Sequence, residues 1–188
     1  DVYYIGNQEM ARVRKGEITF YNLDGDEIEK ELKTVEWDAE AAEKAGYEHF
    51  MIKEIHEQPK AVSDTLNSVV KDGAIDLSEV GLSEEEIKEI SQIYIVACGS
   101  AYHVGVAAQY VMEDLARIPV RVELASEFRY RNPILDPKGL VIIISQSGET
   151  ADSLAALRES KKQGVKTLGI VNVIGSSIAR EADNVFYT

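Results

Sequence analysis

The sequence predicts an α/β fold, a parallel sheet with helices on both faces, preceded by a small β-meander and a helical linker. Three observations carry that expectation. Beyond Gln92, continuous apolar runs alternate with helical patterns, which is how strands buried on both faces of a parallel sheet read. Before residue 36, short β-branched and aromatic runs are separated by turn signals. Between the two regions the pattern is helical and acidic.

The meander covers residues 2–35. "VYYI", "ARV" and "ITFY" are the strand-like runs, and "GNQE", "RKGE" and "NLDGDE" are the turns between them. Ala11 and Val13 alternate with Arg12 and Arg14 as on a half-exposed strand, and Asp24-Gly25 is a hairpin signal. From about Glu36 a helical pattern begins. Phe50, Ile55, Val62, Leu66 and Val69 follow at roughly helical spacing, with Pro59 expected to end or kink the helix. Residues 71–82, "KDGAIDLSEVGL", read as a linker. Ser83 and Glu86 stand at capping-box spacing and start a short helix.

In the α/β part, "IYIVACG", "VRVELAS", "LVIIIS", "KTLGIVNV" and "NVFYT" are the expected strands. "YHVGVAAQYVMEDLAR", a short "EFRYR" ending before Pro133, and "ADSLAALRESKKQG" are the expected helices. Gly164 is placed as a C-terminal stop for the last of them.

Composition narrows the function. Twenty basic against 33 acidic residues give a net charge of −13, without the Lys/Arg clusters that nucleic acid or an anionic membrane rewards. The expectation is therefore no nucleic-acid and no membrane partner. Cys98 is the one cysteine, so no internal disulfide forms, which suits a cytoplasmic location. No apolar run approaches the ~20 residues of a membrane span, and no secretory signal opens the chain. Starting at Asp1 directly in a strand-like run, and finishing in another, the sequence reads as a fragment of something longer.

The chemistry concentrates in "SQSGET", Ser145 to Thr150, between an apolar strand and a helix. Ligands of open α/β sheets bind beyond the carboxyl ends of the strands. There Gly148 permits a tight turn in which successive N–H groups converge, Thr150 caps the following helix, and Ser145, Ser147 and Thr150 add hydroxyls. Amides, hydroxyls and a helix N-terminus form a phosphate cradle without lysine. The Gly-Lys-Ser/Thr of a nucleotide-binding loop is missing, which suits a single phosphate ester rather than a triphosphate. A serine–glycine pair alone builds an ordinary strand-to-helix turn; three hydroxyls plus Gln146 point to a ligand. Glu149 would repel a phosphate and is expected to point away.

"ACGSAYH" occupies the equivalent place after the first strand of the sheet, where Gly99 and Ser100 offer another N–H and hydroxyl. Cys98 reads as a small buried filler rather than a nucleophile, and His103 as a capping or packed residue. Other sites fail on spacing. Asn22, Asp24 and Asp26 begin like a calcium loop, but Glu27 and Lys33 stand where glycine and glutamate are required. His49 and His56 do not make a zinc pair, and one cysteine makes no structural zinc site. Ser147 lacks the Gly-x-Ser-x-Gly of a nucleophile elbow.

"SQSGETADSLAALRESKKQG", "LASEFRYRNP", "IYIVACGSAYHVG" and "NVIGSSIAREAD" together resemble the sugar isomerase (SIS) domain, a flavodoxin-like fold, of the glutamine–fructose-6-phosphate aminotransferase family. "HFMIKEIHEQPKAVSDTL" resembles that family's junction between glutaminase and isomerase halves, and the opening strands resemble the end of its glutaminase domain. The resemblance implies a division into residues 1–70 (glutaminase end and junction helix), 71–82 (linker) and 83–188 (a SIS domain incomplete at its C-terminal end). It implies conversion of fructose 6-phosphate and glutamine to glucosamine 6-phosphate by a homodimer, with no metal or organic cofactor. Ser145, Gln146, Ser147 and Thr150 would hold the sugar phosphate, and Cys98, Gly99 and Ser100 would line the same pocket.

The family usually reads Cys-Gly-Thr-Ser in that first loop; here Ala101 has lost a hydroxyl. By the same resemblance the catalytic residues lie outside the chain, so no catalytic residue is assigned within it. A sheet missing its last helix is expected to expose apolar surface, with self-association or marginal stability as the result. Two other functions were weighed against this one. A sugar-phosphate-sensing regulator should carry a basic helix-turn-helix where this chain has an acidic stretch and a meander. A stand-alone isomerase or deglycase would not need the meander and the KEIHEQP segment.

Overall fold

The computed structural model describes residues 1–34 and 43–188, which form two compact units, Asp1–Gly46 and Tyr47–Thr188. The helical pattern expected from Glu36 falls, up to residue 42, outside the described residues. By compactness the helix that starts at Phe50 falls in the second unit.

In the first unit, β1 (Met10–Arg14), β2 (Glu17–Tyr21) and β3 (Glu27–Ile28) form an antiparallel meander in the order β1-β2-β3. The turn before β3 closes as Asp24-Gly25 predicts: Gly25 adopts φ +85°, and the Asp26 amide donates to Asn22 Oδ1 at 2.9 Å. The expected "VYYI" strand is reduced to a single bridge, Val2 to Lys33. Val13 is exposed with its arginine neighbours, because only Phe20 of this small sheet is buried.

The second unit opens with α1 (Phe50–Val69), which runs unbroken through Pro59. Proline removes only one N–H bond, and the turns on either side keep the helix, so the expected break does not occur. Phe50, Ile55, Val62 and Leu66 are exposed along it. The expected linker is structured: β4 (Val70–Lys71) and β5 (Ala74–Ile75) make a hairpin, and a 3-10 turn follows at Ser78–Val80. Next comes α2 (Glu84–Glu89), whose capping box is complete, with the Ser83 hydroxyl accepting from Glu86 N and the Glu86 carboxylate accepting from Ser83 N.

The remaining elements are β6 (Gln92–Ala97), α3 (Gly99–Ala116), β7 (Val120–Leu124), α4 (Ala125–Phe128), β8 (Gly139–Ser145), α5 (Ala151–Lys162), β9 (Lys166–Val171), α6 (Ser177–Glu181) and β10 (Asn184–Tyr187). The short helix forms from "ASEF" rather than "EFRYR", starting two residues earlier than expected. The five strands β6 to β10 pair in parallel in the order β10-β9-β8-β6-β7.

Strand alternation divides the core. Tyr94 and Val96 of β6, with Val141 and Ile143 of β8, meet Phe128, Ala156, Leu157 and Ile178 from α4, α5 and α6. Ile93, Ile95, Leu140 and Ile142 face the other way, against Ala108 and Met112 of α3. The apolar runs lack a polar alternation because both faces are covered. The strand order reverses between β6 and β8: the chain leaves β6 toward β7 on one side and returns to β8 on the other. Such a switch point opens a crevice at the carboxyl ends of the two strands.

Candidate functional site

The switch point between β6 and β8 falls where the sequence placed its two loops. Ala97 pairs with Ile144, so Cys98 and Ser145 leave the sheet from adjacent strands. The structure therefore brings the 98–101 and 145–150 loops together at one edge. Ser153, fully buried in the first turns of α5, donates its hydroxyl to Cys98 Sγ at 3.9 Å and links them.

Within SQSGET the hydroxyls do more structural work than sequence reasoning assigned them. Ser145 is buried, and its Oγ accepts the Gly148 N–H at 3.1 Å while lying 3.0 Å from Thr150 Oγ1. Ser147 Oγ accepts the Glu149 N–H at 3.2 Å. The amides of Gly148 and Glu149 are thus satisfied inside the turn rather than converging on a ligand. What the turn offers outward is protons on oxygen. Ser147 keeps its O–H after accepting from Glu149. If buried Ser145 donates to Thr150, half-buried Thr150 keeps its own. Thr150 stands at the N-cap of α5 but makes no capping hydrogen bond there. The first amides of a helix have no intrahelical acceptor, so the start of α5 adds N–H donors beside these hydroxyls.

Gly148 holds φ +64°, in the left-handed region. A Cβ there would overlap the Ser176 hydroxyl and lie 2.5 Å from Ser176 Cβ. Glycine is required twice, by conformation and by close approach.

The charged side chains in and beside the turn are engaged with partners. Glu149 points away, as expected, its Oε1 accepting the Ser177 N–H at 2.7 Å. Asp152, in the first turn of α5, is paired with Arg129 Nη1 at 2.7 Å, and that hydrogen bond raises the Arg129 pKa. Neither carboxylate beside the turn is left uncompensated. Gln146 is exposed and ties into the next loop: its carbonyl accepts Asn172 N at 3.1 Å, and its amide donates to Asn172 Oδ1 at 3.4 Å.

In the neighbouring loop Cys98 is half-buried at the N-cap of α3 and packs against the core, consistent with a filler. Gly99 takes φ +58°, Ser100 is exposed and Ala101 half-buried. His103 is exposed with its ring edge-on to Tyr102, so it neither caps nor packs in the core. Sequence reasoning missed Asn172, Ser176 and Ser177, which support the turn from the β9–α6 loop. Their signal was the Gly-Ser-Ser of "NVIGSSIAREAD", legible only once β8 and β9 are known to be neighbours. Among the described residues no cluster of His, Cys, Asp and Glu could hold a metal ion, and no helix is long and apolar enough to cross a membrane.

Comparison with known proteins bears on the family and the fold. Residues 86–188 match the SIS domain family model. The whole chain is 54% identical over 189 residues to a Clostridium acetobutylicum protein named glutamine–fructose-6-phosphate aminotransferase (isomerizing), and 47% identical over 190 residues to a protein of the same name from Methanosarcina mazei. In both cases it spans 31% of the relative's length. Among solved structures, the C-terminal domain of glucosamine-fructose-6-phosphate aminotransferase from Francisella tularensis superposes with a TM-score of 0.72 at 47% identity, covering 78% of this chain and 41% of that one.

Proposed function

The chain belongs to the SIS domain family, and from that premise we propose that it is the sugar-phosphate-gripping part of a glutamine–fructose-6-phosphate aminotransferase. In this reading the phosphate of fructose 6-phosphate sits on the Ser147 and Thr150 hydroxyls and the first amides of α5. Gln146 and the Cys98–Ser100 loop line the sugar side, and Ser145 holds the turn in shape. The observation that carries it is the hydroxyl arrangement of SQSGET at the switch point between β6 and β8. The Ser147 and Thr150 hydroxyls and the start of α5 share one short turn there, and both nearby carboxylates have partners of their own.

The donors are neutral and few. That suits a phosphate monoester, whose charge a helix start and hydroxyls can solvate, better than the outer phosphates of a nucleotide. The complete enzyme would use glutamine as nitrogen source and release glucosamine 6-phosphate. Residues 1–70 would then be the end of its glutaminase domain and the junction helix, with 71–82 joining them to the SIS domain. A cytoplasmic homodimer belongs to the same proposal. The reacting groups lie outside this chain, so its own part is binding and orientation.

Calorimetric titration of the 188-residue chain with fructose 6-phosphate, fructose and inorganic phosphate tests this. Saturable binding of fructose 6-phosphate, lost in S147A and T150V and far weaker with fructose, is expected. Equal binding of fructose and fructose 6-phosphate would sink the phosphate assignment. With glutamine or ammonia added, no glucosamine 6-phosphate should form; turnover by the chain alone would contradict the division of labour.

A further inference from the structure

The SQSGET turn is held from outside by the loop after β9, and the phosphate reading gives that loop no role. Besides the two Gln146–Asn172 hydrogen bonds, three contacts join them. Glu149 Oε1 accepts the Ser177 N–H at 2.7 Å, the Gly148 carbonyl accepts the Ile178 N–H at 3.0 Å, and Ser176 packs under Gly148. Ser176 is 3% exposed and its hydroxyl has no hydrogen-bond partner, so steric fit rather than bonding seats it there.

Glu149 is the odd member of this set. It is exposed, and a carboxylate in a turn that receives an anion is a repulsive choice. Glutamine or serine would build the turn without that repulsion. The carboxylate does one thing in the structure: it reaches across to the β9–α6 loop and holds the Ser177 amide. Charge-assisted hydrogen bonds of this kind are short and about twice as strong as neutral ones.

We propose that Glu149 is a positioning residue. Its bond to Ser177 clamps the turn onto Ser176, keeps Gly148 in its left-handed conformation, and so fixes where the Ser147 and Thr150 hydroxyls present their protons. The inference rests on the phosphate reading for its ligand but not for the clamp itself.

The test is a double-mutant cycle on the 188-residue chain, titrating fructose 6-phosphate into wild type, E149A, S177P and E149A/S177P. Proline suits the first position of a helix, and it removes the N–H that Glu149 binds. Ser176, at ψ 163°, is already extended as a residue before proline must be. E149A and S177P are each expected to weaken binding about tenfold, and the double variant no further than S177P, because both cut the Glu149–Ser177 bond; S177P also removes the hydroxyl that accepts from Arg180 Nη2 at 3.2 Å. E149Q, whose amide oxygen still accepts from Ser177, should stay within about threefold of wild type.

Additive losses, or an E149A that binds like wild type, overturn the proposal. Amide hydrogen exchange of residues 145–150 without ligand separates the two readings. Faster exchange in E149A but not in E149Q is expected. Unchanged protection in E149A overturns the clamp even where wild type binds sugar phosphate. A wild type that binds none, with exchange accelerated in E149A, sinks the phosphate assignment and leaves the clamp standing.

Discussion

Ser176 occupies the side-chain space of Gly148: its hydroxyl fills the volume that any Cβ at position 148 would need. Two loops that follow different strands are thereby packed backbone to side chain.

Gly148→Ala should accordingly cost about 2–4 kcal/mol, from the left-handed backbone and the overlap together. Urea unfolding followed by circular dichroism would measure it. A loss under about 1 kcal/mol would mean that the 172–177 loop yields easily, and the close fit would then not matter.

Ser145→Ala leaves the buried Gly148 N–H without its acceptor, a loss of about 1–3 kcal/mol. Sugar-phosphate affinity should fall as well, although Ser145 itself is buried, because Thr150 loses its hydroxyl neighbour. Stability and affinity measured on one preparation check both; an unchanged affinity would confine Ser145 to the fold.

Ala101→Ser restores a hydroxyl on the first turn of α3, at a half-buried position beside the crevice. Affinity for fructose 6-phosphate should rise about three- to tenfold, the worth of one neutral hydrogen bond. Unchanged affinity would place Ala101 outside the sugar's reach.

Asp183 ties β9 to the segment before β10, its Oδ2 accepting from Thr167 N at 3.0 Å and Thr167 Oγ1 at 2.7 Å while Oδ1 takes Lys161 Nζ at 2.7 Å. Burial pushes its pKa up, but the Lys161 and Thr167 hydrogen bonds outweigh that and hold it below the usual value. A depressed carboxylate contributes stability above its unfolded pKa, about 3.9, and loses it as pH falls through the lower folded value. Asp183→Asn should therefore lower Tm at pH 7, and the gap to wild type should close as pH falls from about 4 downward. A gap independent of pH would show that the hydrogen bonds, not the charge, carry the effect.

The α/β half was legible because its signals are redundant. The run "LVIIIS" has no polar alternation, so β8 had to be covered on both faces, and Gly164 ended α5 with φ +75° as a C-terminal glycine does. Pro59 does not end α1, because one missing hydrogen bond in a 20-residue helix is a local loss that the neighbouring turns absorb. "VYYI" misled because β-propensity says nothing about whether a partner strand is present. At the site, the residues of SQSGET were visible but their wiring was not. That the hydroxyls accept from Gly148 and Glu149 depends on φ at one glycine. That Glu149 reaches Ser177 depends on strand order, which joins positions 28 apart.

The internal hydrogen bonds of the turn have a kinetic consequence. With Gly148 N, Glu149 N and the Glu149 carboxylate already engaged, no segment has to close over an arriving anion, and little chain entropy is lost on contact. Association should then follow a single concentration-dependent phase in stopped flow, without the slower saturating step of a closing lid. Discrimination among phosphorylated sugars falls to how quickly each one leaves.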